Sequence, residues 1–277
     1  MPAPKISVIV CSIDAMKFAR VSECYEHLLT DYPHEIIGIH DARSLAEGYN
    51  CGIKRASGDI LIFSHDDILI LDPGFAKKIT ARLQTFDILG FVGTSRLITA
   101  TWFGAAPPHI HGVISHGKPG QTHLSLNVYG VSDWPTTSGI QAIDGFCMVA
   151  TRETAQTVGF DATTFDGFHL YDLDFSFSAY LAGRRLGVCC DIPIIHESSG
   201  NFADQHLHYA ERFIHKYIDR LGQTDASAIS GESPGRGIRL QDHHALLRSW
   251  QPDLLKRATI AMRRDRRNTA PPQSDHP

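Results

Sequence analysis

Gly58-Asp59-Ile60-Leu61-Ile62-Phe63-Ser64-His65-Asp66-Asp67 is the stretch from which the fold can be read. Ile60 to Phe63 is an apolar, β-branched run short enough for a buried strand, and it ends abruptly in one imidazole and two carboxylates. A strand that delivers charge to its own C-terminal edge marks the place where open α/β sheets bind ligands. Side chains alternate along an extended chain, so His65 and Asp67 are expected on one side and Asp66 on the other. Two carboxylates beside an imidazole suit a hard or borderline divalent cation such as Mg2+ or Mn2+. A structural reading competes: Asp67, before Ile68-Leu69-Ile70, would cap a helical turn.

On the N-terminal side, Lys5 to Ser12 is a buried-strand signal, and Phe18, Val21, Tyr25, Leu28 and Leu29 give helical spacing over residues 15–30. Glu35 to Asp41 is a second strand that again ends in an acid, and residues 44–56 form a second helix closed by Ser57-Gly58. Strands alternating with helices predict a parallel, right-handed βαβαβ half. It has the style of a nucleotide-binding unit, yet neither GxGxxG nor GxxxxGK[ST] occurs in the sequence. A diphosphate would have to be held another way, and a metal at Asp67 would neutralise it.

On the C-terminal side a helix is expected over 73–83 and a strand over 88–93. Residues 99–134 are rich in Gly, Pro, His and aromatics, including Trp102, Phe103, Tyr129 and Trp134. Their spacing predicts an irregular or hairpin segment lining a cleft, where aromatics stack on sugar faces. His109, His111, His116 and His123 match no metal-ligand spacing. Gln141 to Ala150 reads as a strand in which Gly145 admits a close approach, followed by a short helix to Phe160. A second acidic focus follows at Asp172 and Asp174, in the first turn of a helix that Leu173, Phe177, Tyr180 and Leu181 predict. Arg185 to His196 is strand-like and ends on a histidine which, by itself, reads as a satisfied structural residue. A helix over 202–221 closes the compact part, with His206, His208 and His215 expected on its solvated side.

The chain has 277 residues, 43% of them apolar and 20% charged, which is the balance of a globular protein able to bury a sizeable core. A net charge of −4 gives no reason to expect a nucleic-acid partner. None of the six cysteines forms a CxxC pair, which argues against a disulfide scaffold or structural zinc. No run approaches the ~18 apolar residues of a membrane span, and the N-terminus has no signal-like apolar stretch, so cytoplasm is the expected compartment. The division expected is a domain over 1–222, a linker over 223–240 and a basic helical tail over 241–277 with a disordered end. Seven basic against two acidic residues in 248–267 make a helix that can rest on the inner, anionic face of a membrane, or pack on the core or a second subunit.

Taken together, Ser7 to Ser12, Leu45 to Ile53, Ala56 to Asp59, Ile62 to Asp67, Asp144 to Met148, Tyr171 to Ser176 and Ile192 to His196 resemble, in order and spacing, the GT-A family-2 glycosyltransferases, particularly their bacterial branch. The resemblance spans residues 5–220. It implies a GT-A α/β fold, a Rossmann-like, mostly parallel central sheet flanked by helices, and inverting transfer of a sugar from a nucleotide-diphosphate donor to a glycan, lipid-linked or other hydroxyl acceptor. By the same resemblance Asp41, Asn50, His65, Asp66 and Asp67 would hold the donor, and Trp102, Trp134 and Gly145 the acceptor. His65-Asp66-Asp67 looks like the DxD-type motif, with His65 standing where its first acid usually is. Asp67, His196 and His65 would then ligate Mn2+ or Mg2+. Asp172 or Asp174 would be the general base, the usual acid before Asp172 being replaced by Tyr171. Two other readings remain: a catalytically weak sugar- or nucleotide-binding module of the same architecture, and a nucleotidyltransferase, whose basic Gly-rich loop after the first strand is missing from Cys11-Ser12-Ile13-Asp14.

Overall fold

A computed structural model describes residues 3–117, 125–129, 135–198 and 204–223. Strand β1 (Ile6–Cys11), helix α1 (Ala15–Leu28), β2 (His34–Ile39), α2 (Leu45–Arg55) and β3 (Ile60–Ser64) follow in chain order. As the sequence predicts, β1 pairs in parallel with both β2 and β3, Val8 lying between Ile36 and Ile62. Every residue of β3 is buried, as a central strand covered on both faces must be. The helices start where side chains can serve their free N–H groups: the Asp14 carboxylate accepts from Met16 and Lys17, and the Ser44 hydroxyl from Glu47. Helix α2 lies very close to β1, so that a Cβ on Gly48 would sit 2.5 Å from Cys11 Sγ and one on Gly52 would collide with Ile9.

Next come β4 (Ile68–Ile70), α3 (Phe75–Arg82), β5 (Ile88–Gly90), β6 (Val92–Thr94) and a 3-10 turn at Trp102–Ala105. They are followed by β7 (Ile110–His116), β8 (Ser125–Tyr129), β9 (Thr136–Thr137), β10 (Ala142–Ile143), β11 (Cys147–Thr151) and α4 (Arg152–Val158). The last elements are α5 (Tyr171–Leu181), β12 (Leu186–Cys189), β13 (Ile194–His196) and α6 (Asp204–Tyr217). The strands sort into two sheets: seven in the order β2-β1-β3-β11-β5-β12-β9, and β10-β6-β7-β13-β4 with β8 added on β7. Within the larger sheet β11 runs antiparallel to both its neighbours, β3 and β5, and β12 runs parallel to β5, so the sheet is mixed.

Three apolar runs that read as single strands are each shared between the two sheets. Within these runs the chain changes sheet at Phe91, at Asp144–Phe146 and at Cys190–Pro193, and it does so too between β3 and β4, at His65–Asp67. Phe91 and Phe146 are fully buried, and an unbroken apolar run carries no periodicity that would reveal such a turn. Between Phe91 and Asp144, β7 and β8 pair as the antiparallel hairpin that was one of the two expectations for residues 99–134. Ile68 to Ile70 is a strand, so Asp67 caps no helix. Trp134, His123, the linker beyond Gln223, the tail and its 248–267 segment lie outside the described residues. Among the described residues no helix is long and apolar enough to cross a membrane.

The α2–β1 contact is testable. Gly52→Ala inserts a methyl group against Ile9 and is expected to lower stability by about 1–3 kcal/mol in chemical denaturation, whereas a midpoint equal to wild type would contradict so close an approach.

Candidate active site

At the end of β3 the side chains part as alternation requires. Asp66 turns toward β1, where its carboxylate accepts the Ser12 hydroxyl at 2.6 Å. His65 and Asp67 face the other way, Nδ1 lying 3.8 Å from Oδ1. The pairing of β13 with β4 sets His196 opposite Ile68 and brings its Nε2 within 3.3 Å of Asp67 Oδ1 and 3.4 Å of His65 Nδ1. Candidate ligand atoms of all three residues lie within 4.8 Å of one another, the one such cluster among the described residues. The 3.3, 3.4 and 3.8 Å separations describe a triangle whose corners are about 2 Å from a common point, the length of a bond from a divalent ion to nitrogen or oxygen. Burial, and then the neighbouring His196, lowers the His65 pKa, so its ring is neutral and keeps a lone pair to offer. Burial by itself would raise the Asp67 carboxyl, but the hydrogen bond and charge of His196 hold it well below the usual carboxylate range. Two imidazoles and an ionised carboxylate fit a divalent cation.

Helix α5 meets this cluster end-on. Leu170, buried and left-handed at φ 63°, turns the chain into the helix, and the Tyr171 hydroxyl that follows lies 2.6 Å from His65 Nε2. Gly145 is bare because the helix needs its space: a Cβ there would collide with the Tyr171 hydroxyl and sit 2.6 Å from Asp172 Cβ. Asp172 is half-buried in a cleft of about 350 Å³ that it shares with His65, Trp102, Asp144, Gly145 and His196. Burial, and then the Asp144 carboxylate, push its pKa up to about 7. Asp144 accepts the Trp102 indole N–H at 2.8 Å and the Phe146 N–H at 3.1 Å, holding Trp102 at the cleft wall, with Tyr129 packed edge-on against it at 5.1 Å.

The structure leaves other predicted residues out of the cleft. Asp174 lies two residues, about 200°, further round the helix from Asp172. It is buried against α6, bonded at 2.6 Å to both Lys216 Nζ and the Tyr217 hydroxyl, and so is a structural anchor and not a second candidate at the cleft. Asn50 is likewise diverted, its amide spanning the Phe160 backbone through bonds of 2.7 and 3.0 Å. Asp41 stands exposed just beyond β2, and Trp134 lies outside the described residues. Conversely, Asp144, His116 and His206 line the cleft without having been singled out for it. His206 is half-buried, edge-on to His169 at 5.6 Å, so it is not on the solvated face expected for it. An acid before a glycine at the head of a buried run was the one available signal for Asp144, and it is a weak one.

A family model described as "Glycosyltransferase like family" matches residues 7–217. No curated protein matches the sequence. Among solved structures, GalNAc-T7 with UDP, GalNAc and Mn2+ is similar over 79% of this chain at 11% identity and a TM-score of 0.51, and the chain spans about half, 49%, of that protein. A mannosyltransferase from Pyrobaculum calidifontis, PcManGT, in complex with GDP-Man and Mn2+, is similar over 97% of this chain and 88% of its own at 14% identity and a TM-score of 0.44. S. aureus TarS 1-349 is similar over 70% and 60% respectively, at 14% identity and 0.41.

The two aspartates of α5 should separate in experiment. Asp174→Asn exchanges the carboxylate bonded by both Lys216 and Tyr217 for a neutral amide, Lys216 keeping its pair with Asp161, and is expected to cost about 1.5–3 kcal/mol in stability, while Asp172→Asn, which removes a carboxylate facing that of Asp144, should leave the melting temperature unchanged or higher.

Proposed function

The chain belongs to the glycosyltransferase-like family and has the GT-A fold; on that premise we propose that it transfers a sugar, with inversion, from a nucleotide-diphosphate donor to a glycan, lipid-linked or other hydroxyl acceptor. The observation that carries this reading is the convergence of His65 and His196, which flank Asp67, with Asp172 on one cleft beside the carboxyl end of β3. Asp67, His196 and His65 would hold a divalent cation. Such an ion, when bound, supplies charge neutralisation to the departing diphosphate.

Asp172 is the base in this proposal. Its carboxylate takes the proton of the acceptor hydroxyl as that oxygen bonds to the anomeric carbon, while the bond from that carbon to the diphosphate oxygen breaks and the nucleoside diphosphate leaves. A carboxyl raised to about 7 is matched to proton transfer near neutral pH. Trp102 and Tyr129 offer faces on which an acceptor sugar can stack, and Gly145, at the cleft wall, lets α5 come close enough to bring Asp172 to it. Asp41 and Asp66, past the ends of β2 and β3, are the candidates for contacts with the base and ribose of the donor.

Two measurements test the reading. In the presence of a panel of nucleotide sugars, wild-type turnover should need Mn2+ or Mg2+, be abolished by chelation, and return when the cation is restored; turnover indifferent to chelation would overturn the metal assignment. Asp172→Asn should reduce kcat by about 10²–10⁴ with donor binding intact. The base must be ionised, so wild-type rate should climb as pH rises through about 7 and level off above it. Unchanged turnover in Asp172→Asn, or a rate that falls across that range, would overturn its role as base.

A further inference from the structure

Histidine can offer Nδ1 to a cation only when its proton sits on Nε2, and that N–H then needs an acceptor. For His65 the acceptor is in place: Nε2 lies 2.6 Å from the Tyr171 hydroxyl, which has its own outlet in the Gly145 carbonyl at 3.4 Å. With the proton on Nε2, donation runs from His65 through Tyr171 to a backbone oxygen. Nδ1 is left with its lone pair on the side of Asp67 and His196. With the proton on Nδ1 instead, the Gly145 carbonyl would lose its donor, and an N–H would point among the atoms that form the triangle.

Two further features hold the hydroxyl at that spot. Leu170, whose side chain is buried, keeps a left-handed backbone that costs roughly 1–2 kcal/mol for a residue with a Cβ, and Tyr171 is the next residue. The Tyr171 ring is itself buried, packed on Tyr49 at 5.7 Å and Phe160 at 6.4 Å. Since Tyr171 also begins α5, one hydroxyl joins the candidate ligand cluster to the helix that carries Asp172.

We propose that Tyr171 is a positioning residue, whose hydroxyl fixes His65 as the Nε2–H tautomer, presents Nδ1 to a divalent cation, and sets that cation's place relative to Asp172. This rests on the metal reading given under Proposed function. The test is Mn2+ affinity, measured by electron paramagnetic resonance of free Mn2+, for wild type, Tyr171→Phe, His65→Ala and the double variant. Tyr171→Phe should weaken Mn2+ binding by about 10–100-fold, and the double variant should bind no more weakly than His65→Ala, because the hydroxyl acts only through that ring. In metal-free protein, long-range proton–nitrogen spectra should show His65 protonated at Nε2 in wild type and mixed in Tyr171→Phe, a change that a purely structural tyrosine would not produce. Tyr171→Phe with wild-type affinity, or losses that add in the double variant, would overturn the assignment while leaving the metal site standing. Wild type with no Mn2+ affinity would overturn the metal reading itself, and this inference with it.

Discussion

A carboxylate taken out of water and set between two imidazoles is the contact on which the arrangement depends. Asp67 is 9% exposed, with His196 at 3.3 Å and His65 at 3.8 Å. A buried charge is tolerated only with partners, and here the partners come from the ends of two strands in different sheets. β3 delivers His65 and Asp67, and β13, held between β7 and β4, delivers His196. Even the neighbouring backbone is used, since Glu197 N–H donates to the Asp67 carbonyl at 2.9 Å and the Glu197 carboxylate pairs with Arg20 of α1 at 2.8 Å.

Beneath this contact lies an aromatic floor. Phe63, the last apolar residue of β3, packs on Tyr49 of α2, on Phe160 and on Phe175 of α5, with ring centroids 5.0 to 5.8 Å apart. Phe160 and Phe175 stack at 4.3 Å. Since α5 is seated on this floor, its first turn is held against the cleft, and the helix periodicity does the rest. Burial raises both carboxyls of its first turn, but Asp172 is turned to the cleft beside a second carboxylate, Asp144, and Asp174 to a cation, Lys216.

Much of this was legible beforehand. The parallel β1–β3 half, the alternation at His65–Asp67, and the gathering of His196 with that cluster all follow from strand period and from the resemblance. What escaped was of two kinds. A run such as 88–94 is buried on both faces in either sheet, so nothing in it tells one strand from two. Asn50 and Asp174 have the right chemistry at plausible positions, but their partners, the Phe160 backbone and Lys216, are 110 and 42 residues away. His65 and Tyr171 are the two departures from the pattern of the family; the sequence presents them as separate substitutions 106 residues apart, and the fold makes them one hydrogen bond.

The crossings between sheets bear on how the protein comes apart. Each sheet takes some of its strands from runs that continue into the other, so no peptide bond separates a complete first sheet from a complete second. A fragment ending near Phe91 would keep β1, β2 and β3 but lose β11, the strand that fills the middle of the ladder. Melting is therefore expected to be a single cooperative event over both sheets.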